Sequence, residues 1–346
     1  MQLLTRYFAS ANGYFGFHSY FSEIFNPTSF TRIYVLKGGP GTGKSSFMKK
    51  LSKDLLAHGY AVEQIMCSSD PDSLDGIIAQ GSENRIAVID GTAPHERDAM
   101  IVGACDELIN LGSALDTRWL TAQRDHIENL CKEKSEAYKS AYAYLSVSGE
   151  SERQRTKMIE KLIDAKRLKY AINKAAESTL AAKPGKKRIQ LKSAVCRRGT
   201  MWLPDMVTPE KTYSVIGDKH VAQRFLSGIS KALEEDGIEF IHSPSPLDPA
   251  LTEEIYVPDR KIKYTLKPCD NTIDIREFYT PDSVVNERCK CALEISRIAL
   301  DEAYRWFSIA SEIHFALEDI YGGAMNFGTV DRIYEEKSEE ILKILE

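Results

Sequence analysis

A short apolar segment followed at once by a glycine-rich loop is the feature that most constrains this chain. Residues 33–36 are the aliphatic, aromatic and β-branched types of a buried strand, and they lead into residues 38–45. Residues 46–58 then carry apolar side chains at helical spacing and end before Gly59, a residue typical of helix ends. Strand, loop and helix thus follow one another as in a complete Walker A motif.

The residue types in this loop suit a phosphate group. Glycines let the backbone wrap closely, so that successive N–H groups and the N-terminus of the next helix point at an anion. Lys44 is placed to reach the outer phosphates of a nucleoside triphosphate, and Ser45 to ligate Mg²⁺. The predicted nucleotide-binding residues are Gly38, Gly39, Pro40, Gly41, Thr42, Gly43, Lys44, Ser45 and Ser46.

A second apolar segment, residues 85–89, ends in Asp90. An aspartate at the tip of such a strand holds magnesium in the Walker B position, although Asp90 and Gly91 also fit a simple turn. Ser45 and Asp90 are therefore the predicted metal ligands. Many motor ATPases place a glutamate directly after this aspartate, and this chain does not. Candidates for the missing base lie in residues 68–75 and at His95 and Glu96.

The chain matches itself: residues 39–77 align without a gap to residues 217–255. The matches are Gly39 with Gly217, Phe47 with Phe225, Ser52 and Lys53 with Ser230 and Lys231, Leu55 with Leu233, Gly59 with Gly237, Asp70 and Pro71 with Asp248 and Pro249, and Ile77 with Ile255. This pattern predicts a duplicated domain.

The second copy lacks the chemistry of the first. Residues 43–45 correspond to Val221, Ala222 and Gln223, so the phosphate-binding lysine is absent there. Asp72 corresponds to Ala250, which favours Asp72 over Asp70 as a chemical group. The predicted catalytic residues are Lys44, Asp72 and Asp90.

Residues 33–47, 67–75 and 89–95 resemble a family of uncharacterised bacterial ATPases, found mainly in spore-forming Firmicutes and built from two tandem P-loop halves. The resemblance extends over most of the chain. It implies that ATP is the nucleotide but assigns no biological task. In that family the second half often carries its own P-loop, and this chain departs from the pattern at residues 221–223.

These patterns predict an α/β fold: a three-layer parallel sheet of the P-loop NTPase type, duplicated, with helices inserted after each half. The predicted domains are residues 1–115 (P-loop domain), 116–192 (helical hairpin and basic connector) and 193–346 (degenerate domain with C-terminal helices). Breaks between helices are predicted at residues 148–149 and 322–323. Nine aromatic residues between Tyr7 and Phe30 are expected to pack against the sheet.

Charge is distributed unevenly along the chain. The formal net charge is −5, yet residues 151–198 hold 15 Lys or Arg against 4 Asp or Glu. This basic segment fits contact with nucleic acid or contact with the acidic remainder of the chain or an acidic partner. A third alternative is that Arg197, Arg198 or Arg224 reaches the γ-phosphate as an arginine finger.

Several classes of protein are disfavoured. The sequence has no run of 18 apolar residues and no N-terminal secretory pattern, so we expect a cytoplasmic protein without membrane partners. Seven scattered cysteines are typical of reduced thiols.

Three functions fit the residues. The first is Mg²⁺-dependent ATP hydrolysis at the N-terminal half beside an inactive second half. The second is a kinase in which Asp70, Asp72 and Asp75 position the hydroxyl of a small acceptor. The third is a binding module in which ATP orders the helices with little turnover.

Overall fold

A computed structural model describes residues 3–94, 96–179, 182–280 and 282–346. The strands are β1 Leu4–Phe8, β2 Ser10–Gly13, β3 Gly16–Ser19, β4 Arg32–Lys37, β5 Ala61–Met66, β6 Leu74–Gln80, β7 Arg85–Asp90, β8 Asp106–Asn110, β9 Lys187–Ile189, β10 Ser193–Cys196, β11 Gly199–Trp202, β12 Lys211–Ile216, β13 Phe240–Pro244, β14 Thr252–Val257, β15 Ile262–Thr265 and β16 Thr272–Asp274. The α-helices are α1 Phe21–Ile24, α2 Lys44–Ala57, α3 Thr117–Ala122, α4 Arg124–Glu160, α5 Ala165–Glu177, α6 Lys219–Glu235, α7 Ser283–Gly323 and α8 Phe327–Leu345.

The first sheet has the strand order β1-β5-β6-β7-β4-β8. Strand β6 runs antiparallel to both β5 and β7, whereas the remaining pairs are parallel. The α/β class is confirmed, but the predicted all-parallel sheet is wrong. The cause is the short connection at residues 67–73, because a parallel neighbour would need a crossover of about a dozen residues or more.

The two faces of this sheet are covered differently. On β4, Tyr34 and Leu36 pack into one core with α2 and α8, whereas Ile33 and Val35 belong to the opposite core. That opposite core is filled by aromatic side chains from residues 21–30, so the expected packing is confirmed for Phe21, Phe25 and Phe30, whereas Phe15 is exposed and Tyr14 packs against α4. Helices α2 and α8 therefore cover one face of the first sheet and the aromatic segment covers the other, whereas three layers were predicted.

The second sheet has the order β9-β13-β14-β15-β12-β16. Its pairs are parallel and antiparallel in the same succession as those of the first sheet. Both sheets contain a register shift next to the antiparallel strand, between Ile65 and Met66 in the first and between Ser243 and Pro244 in the second. Strand β9 precedes the predicted boundary at residue 193 and still joins this sheet.

Helices α4 and α7 form a long antiparallel pair. The Oγ atoms of Ser148 and Ser296 lie 2.9 Å apart, and the Ser151 hydroxyl donates to the carbonyl of Ala292 at 2.7 Å. The predicted break at residues 148–149 is wrong, since α4 continues through both positions. Gly149 serves close packing instead, because a Cβ there would lie 2.6 Å from the Cβ of Tyr14. The predicted break at residues 322–323 is confirmed, because α7 ends at Gly323.

The helices after each half pack on the opposite half. Helix α5 follows the first sheet in sequence and contributes Leu168 to the core of the second. Helix α8 follows the second sheet and completes the core of the first. Antiparallel bridges mark the two crossing points, Leu115 with Met325 and Ile163 with Tyr279.

Gly149→Ala tests the close approach of α4 to the N-terminal hairpin. Alanine ordinarily stabilises a helix interior over glycine by about 0.5–1 kcal/mol. Here we expect a net destabilisation of about 1–3 kcal/mol, because the added methyl group overlaps Tyr14. Urea unfolding measures the difference, with the exposed Ser146→Ala on the same helix as the control. A more stable Gly149→Ala protein would contradict the packing described here.

Candidate functional site

The glycine loop, residues 38–45, joins β4 to α2. Gly41 and Gly43 adopt φ angles of 67° and 87°, a left-handed conformation that other residues rarely adopt. Thr42 is fully buried, and its hydroxyl donates to the carbonyl of Gly39 at 2.8 Å. The loop therefore curls tightly over the N-terminus of α2, which starts at Lys44.

Lys44 and Asp90 are brought together as the sequence predicted. The Lys44 Nζ donates to the carbonyls of Gly38 and Gly39 at 3.1 and 2.8 Å, and lies 3.7 Å from Asp90 Oδ2. The Asp90 Oδ1 accepts from the backbone N–H and hydroxyl of Thr92 at 2.8 and 2.6 Å. Burial raises the pKa of Asp90, although the charge of Lys44 and the bonds from Thr92 oppose it.

The two predicted metal ligands lie on adjacent elements. The Ser45 hydroxyl, in the first turn of α2, accepts the N–H of Leu74 at 3.0 Å, and Asp90 ends β7, the strand beside β4. No group of three His, Cys, Asp or Glu side chains within the described ranges is arranged to hold a metal ion. Mg²⁺ commonly takes one or two protein oxygens and fills its shell with water and phosphate, so one hydroxyl and one carboxylate fit it. Ser46 is exposed beside them.

The aspartates after β5 are separated by their surroundings. Asp72 is largely exposed and pairs with Arg198, while Asp70 Oδ1 lies 3.6 Å from Arg197. Asp75 is buried, and its negative charge helps to raise the pKa of Asp90. Among these carboxylates, Asp75 is therefore the one whose charge acts on Asp90. Of the other candidate bases, Glu96 is exposed and His95 lies outside the described residues.

The second half brings two of its three candidate arginines to this site. Arg197 and Arg198 form the turn between β10 and β11 and face the aspartates after β5. Arg197 also lies over the ring of Phe315 on α7, at 5.1 Å. Arg224 does not reach the site, because it is on α6 and pairs with Glu160 at 2.9 Å.

Helix α7 closes over the glycine loop, which no local pattern indicated. A Cβ on Gly39 would lie 3.0 Å from the ring of Tyr321, and one on Gly41 would lie 2.3 Å from the carbonyl oxygen of Glu318. The Gly41 N–H also stabilises the charged form of the nearby Glu318 carboxylate. Helix α7 can therefore approach this closely only because both loop positions are glycine.

Two titratable groups on α7 face the loop. His314 Nε2 lies 3.7 Å from Glu318 Oε1. Burial, with help from the charges of Lys134 and Lys44, lowers the pKa of His314 to about 4, so this imidazole is neutral at pH 7. Burial raises the pKa of Glu318, and the nearby charge of Asp70 acts in the same direction, while Lys44 and the Gly41 N–H oppose both.

The corresponding second loop, residues 217–219, is closed by different chemistry. Asp218 caps α6, and its Oδ2 accepts from Arg155 of α4 at 2.6 Å. Residues 221–223, which stand where the first half has Gly43, Lys44 and Ser45, are buried within α6. The ion pair between Arg155 and Asp218 therefore lies at the loop of the second half. At the loop of the first half, α7 takes the corresponding place.

Part of the basic segment 151–198 is engaged in ion pairs within the protein. Its ion pairs with acidic groups of the second half are Arg155 with Asp218, Arg167 with Glu277, Lys183 with Glu239 and Lys187 with Glu234. These contacts agree with the alternative in which the segment contacts acidic parts of the chain.

Searches against protein-family models, curated proteins and solved structures find no match to this chain. In the parts of the chain that the structure describes, no helix combines the length and hydropathy needed to cross a membrane.

Asp90→Asn tests the electrostatics of the site. Because burial raises the pKa of Asp90, the folded state binds this proton more tightly than the unfolded chain. The carboxylate therefore costs stability above its folded pKa, and the cost vanishes below the unfolded value of about 3.9. We expect Asp90→Asn to raise the midpoint of thermal unfolding by about 2 °C at pH 7 and to leave it unchanged near pH 3.5.

The control is Asp98→Asn, since Asp98 is exposed and pairs with Lys37 at the surface. Calorimetry without nucleotide or metal measures both proteins. A lower midpoint for Asp90→Asn at pH 7 would mean that pairing with Lys44 outweighs the burial of the carboxylate.

Proposed function

We propose that the N-terminal half binds ATP with Mg²⁺ and hydrolyses it. The observation that carries this proposal is the glycine loop between a buried strand and a helix, with Lys44 beside an aspartate on the adjacent strand. A loop of this shape directs backbone N–H groups and the positive end of α2 at an anion. The resemblance of residues 33–47 to tandem P-loop ATPases supports ATP as the nucleotide.

In this proposal the loop supplies backbone N–H groups, an ammonium group and a hydroxyl. The backbone N–H groups of residues 41–45 hold the phosphates, and Lys44 exchanges the carbonyls of Gly38 and Gly39 for the outer phosphates. Ser45 and Asp90 hold Mg²⁺, which neutralises charge on the phosphate oxygens when it is bound.

Hydrolysis further needs a group that orients water and a positive charge near the γ-phosphate. Asp72 is engaged by Arg198, whereas Asp75 is buried and acts electrostatically on Asp90. Asp75 is therefore the better-placed carboxylate of the two. Arg197 is the better-placed arginine, because its Nε is buried and has no hydrogen-bond partner among the described residues.

We infer that the two halves arose by duplication. Their sheets share strand order and pairing directions, and their register shifts fall at positions that the self-alignment pairs, Ile65 with Ser243. The hairpins β2–β3 and β10–β11 match strand for strand. Each strand of the second hairpin begins and ends the same number of residues after its counterpart in the first. Phe8 and Leu191, separated by that same number of residues, exchange backbone hydrogen bonds with each other at 2.9 and 3.2 Å. This self-pairing is what an approximate two-fold relation between copies produces.

In this proposal the second half is an inactive copy that serves the first. It lacks the phosphate-binding lysine, and Arg155 neutralises Asp218 at its loop. It supplies the turn with Arg197 and the helix α7 to the site of the first half. The kinase alternative draws no support from Asp70 and Asp72, because arginines engage both carboxylates.

Lys44→Ala tests the central proposal. Removing the ammonium group leaves the phosphates without their main side-chain partner, so we expect ATP affinity to fall on the order of 100-fold and hydrolysis to be lost. Calorimetric titration with Mg²⁺ and ATP measures binding, and phosphate release measures turnover. Lys53→Ala is the control, since Lys53 is exposed on the same helix. Equal ATP binding by wild type and Lys44→Ala would refute the proposed function.

Arg197→Ala tests the contribution of the second half to turnover. An arginine that stabilises charge in the transition state affects turnover far more than binding, so we expect a loss of about 10³-fold in kcat with little change in ATP affinity. Arg224→Ala is the matched control, because Arg224 belongs to the same half and pairs with Glu160 instead. Unchanged kcat in Arg197→Ala would exclude this role.

A further inference from the structure

Glu318 touches the glycine loop at a position that matters for anion binding. The Gly41 N–H stabilises the charged form of the Glu318 carboxylate, and the Glu318 carbonyl oxygen lies 2.3 Å from the position that a Cβ on the same glycine would take. One turn further along α7, the ring of Tyr321 lies against Gly39. The last turns of α7 are therefore seated directly on the loop.

The Gly41 N–H belongs to the set of amides that face an anion in a loop of this kind. The Glu318 carboxylate beside that amide is itself an anion, and it lies within the electrostatic influence of Lys44. A phosphate group and the Glu318 carboxylate cannot both occupy this amide, since each is an acceptor and like charges repel.

We propose that Glu318 is an internal competitor for the phosphate site: it holds the Gly41 amide when the site is empty, and an incoming triphosphate displaces it. This inference rests on the proposed binding of ATP. Because Glu318 and Tyr321 lie on the last turns of α7, displacement shifts that end of the helix away from the loop.

The opposite end of the helix pair is fixed. Arg155 near the C-terminal end of α4 is buried and bonds both Glu152 and Asp218, so α4 is fastened to the second loop by a pair that no nucleotide is expected to displace. The C-terminal end of α7 is held at the first loop by a carboxylate that a phosphate replaces. The contact at the second loop is therefore permanent, whereas the contact at the first loop can be displaced by a ligand. Binding at the first loop is transmitted as movement of α7 against α4.

Glu318→Gln tests this competition by removing the charge while keeping the shape. We expect the variant to bind a non-hydrolysable ATP analogue with Mg²⁺ on the order of tenfold more tightly than wild type, because the competing anion is gone. Glu312→Gln is the control, since Glu312 is exposed on the same helix and its removal changes the net charge equally. Glu318→Ala provides a second variant, for which the same direction is expected.

The outcomes separate this inference from the proposed function. Equal affinity in wild type, Glu318→Gln and Glu312→Gln, with binding intact, would overturn the competition and leave ATP binding standing. Unchanged affinity with lost turnover in Glu318→Gln would also overturn it and would make this residue a catalytic group. Absence of binding in all variants would overturn both proposals, whereas binding by Glu318→Gln alone would support both.

Trp119 gives a direct readout of the movement. Its ring lies 3.8 Å from the Cβ position of Gly323, at the end of α7, and is partly exposed. We expect the analogue to change tryptophan emission in wild type, and Glu318→Gln to show part of that change before nucleotide is added. Trp119→Phe should lose the signal. Emission that is unaffected by saturating analogue in wild type would contradict the displacement of α7.

Discussion

The burial of α8 against the first sheet is the contact on which the rest of the arrangement depends. Val330, Tyr334, Ile341 and Leu345 are buried in the same core as β4 and α2. Burial of four such side chains contributes on the order of several kcal/mol. Because the whole second sheet lies between β4 and α8 in sequence, the chain must return across the molecule to place α8, and α7 makes this return while passing over the glycine loop.

The same glycines consequently serve two requirements. In the proposed function Gly39 and Gly41 wrap a phosphate, and Gly41 has the left-handed φ angle that glycine readily adopts. Contact with Tyr321 and with the backbone of Glu318 adds a steric reason for glycine at both positions. A pattern of residues in one segment carries no information about a helix that packs on it from the far end of the chain, so this second reason is visible only in the folded protein.

Local features of this protein could be predicted well from sequence. The strand at residues 32–37, the helix ending before Gly59 and the meeting of Lys44 with Asp90 depend on neighbours along the chain or on a strand pair. Two predictions are wrong. The all-parallel sheet overlooks the short connection at residues 67–73, which makes β6 antiparallel, and the break at residues 148–149 overlooks the packing of Gly149 against Tyr14 within a continuous α4. Asp72 and Asp75 look alike in sequence, and only burial and pairing with Arg198 distinguish them.

The exchange of helices between the halves also affects how the protein is made. The whole second sheet and both long helices, α4 and α7, lie in sequence between β8, the last strand of the first sheet, and α8, the helix that completes its core. During synthesis from the N-terminus, the first half therefore emerges with one apolar face only partly covered, by α2, and stays so until α8 has been made. The glycine loop is covered at a similarly late stage, because α7 also follows the whole second sheet in sequence.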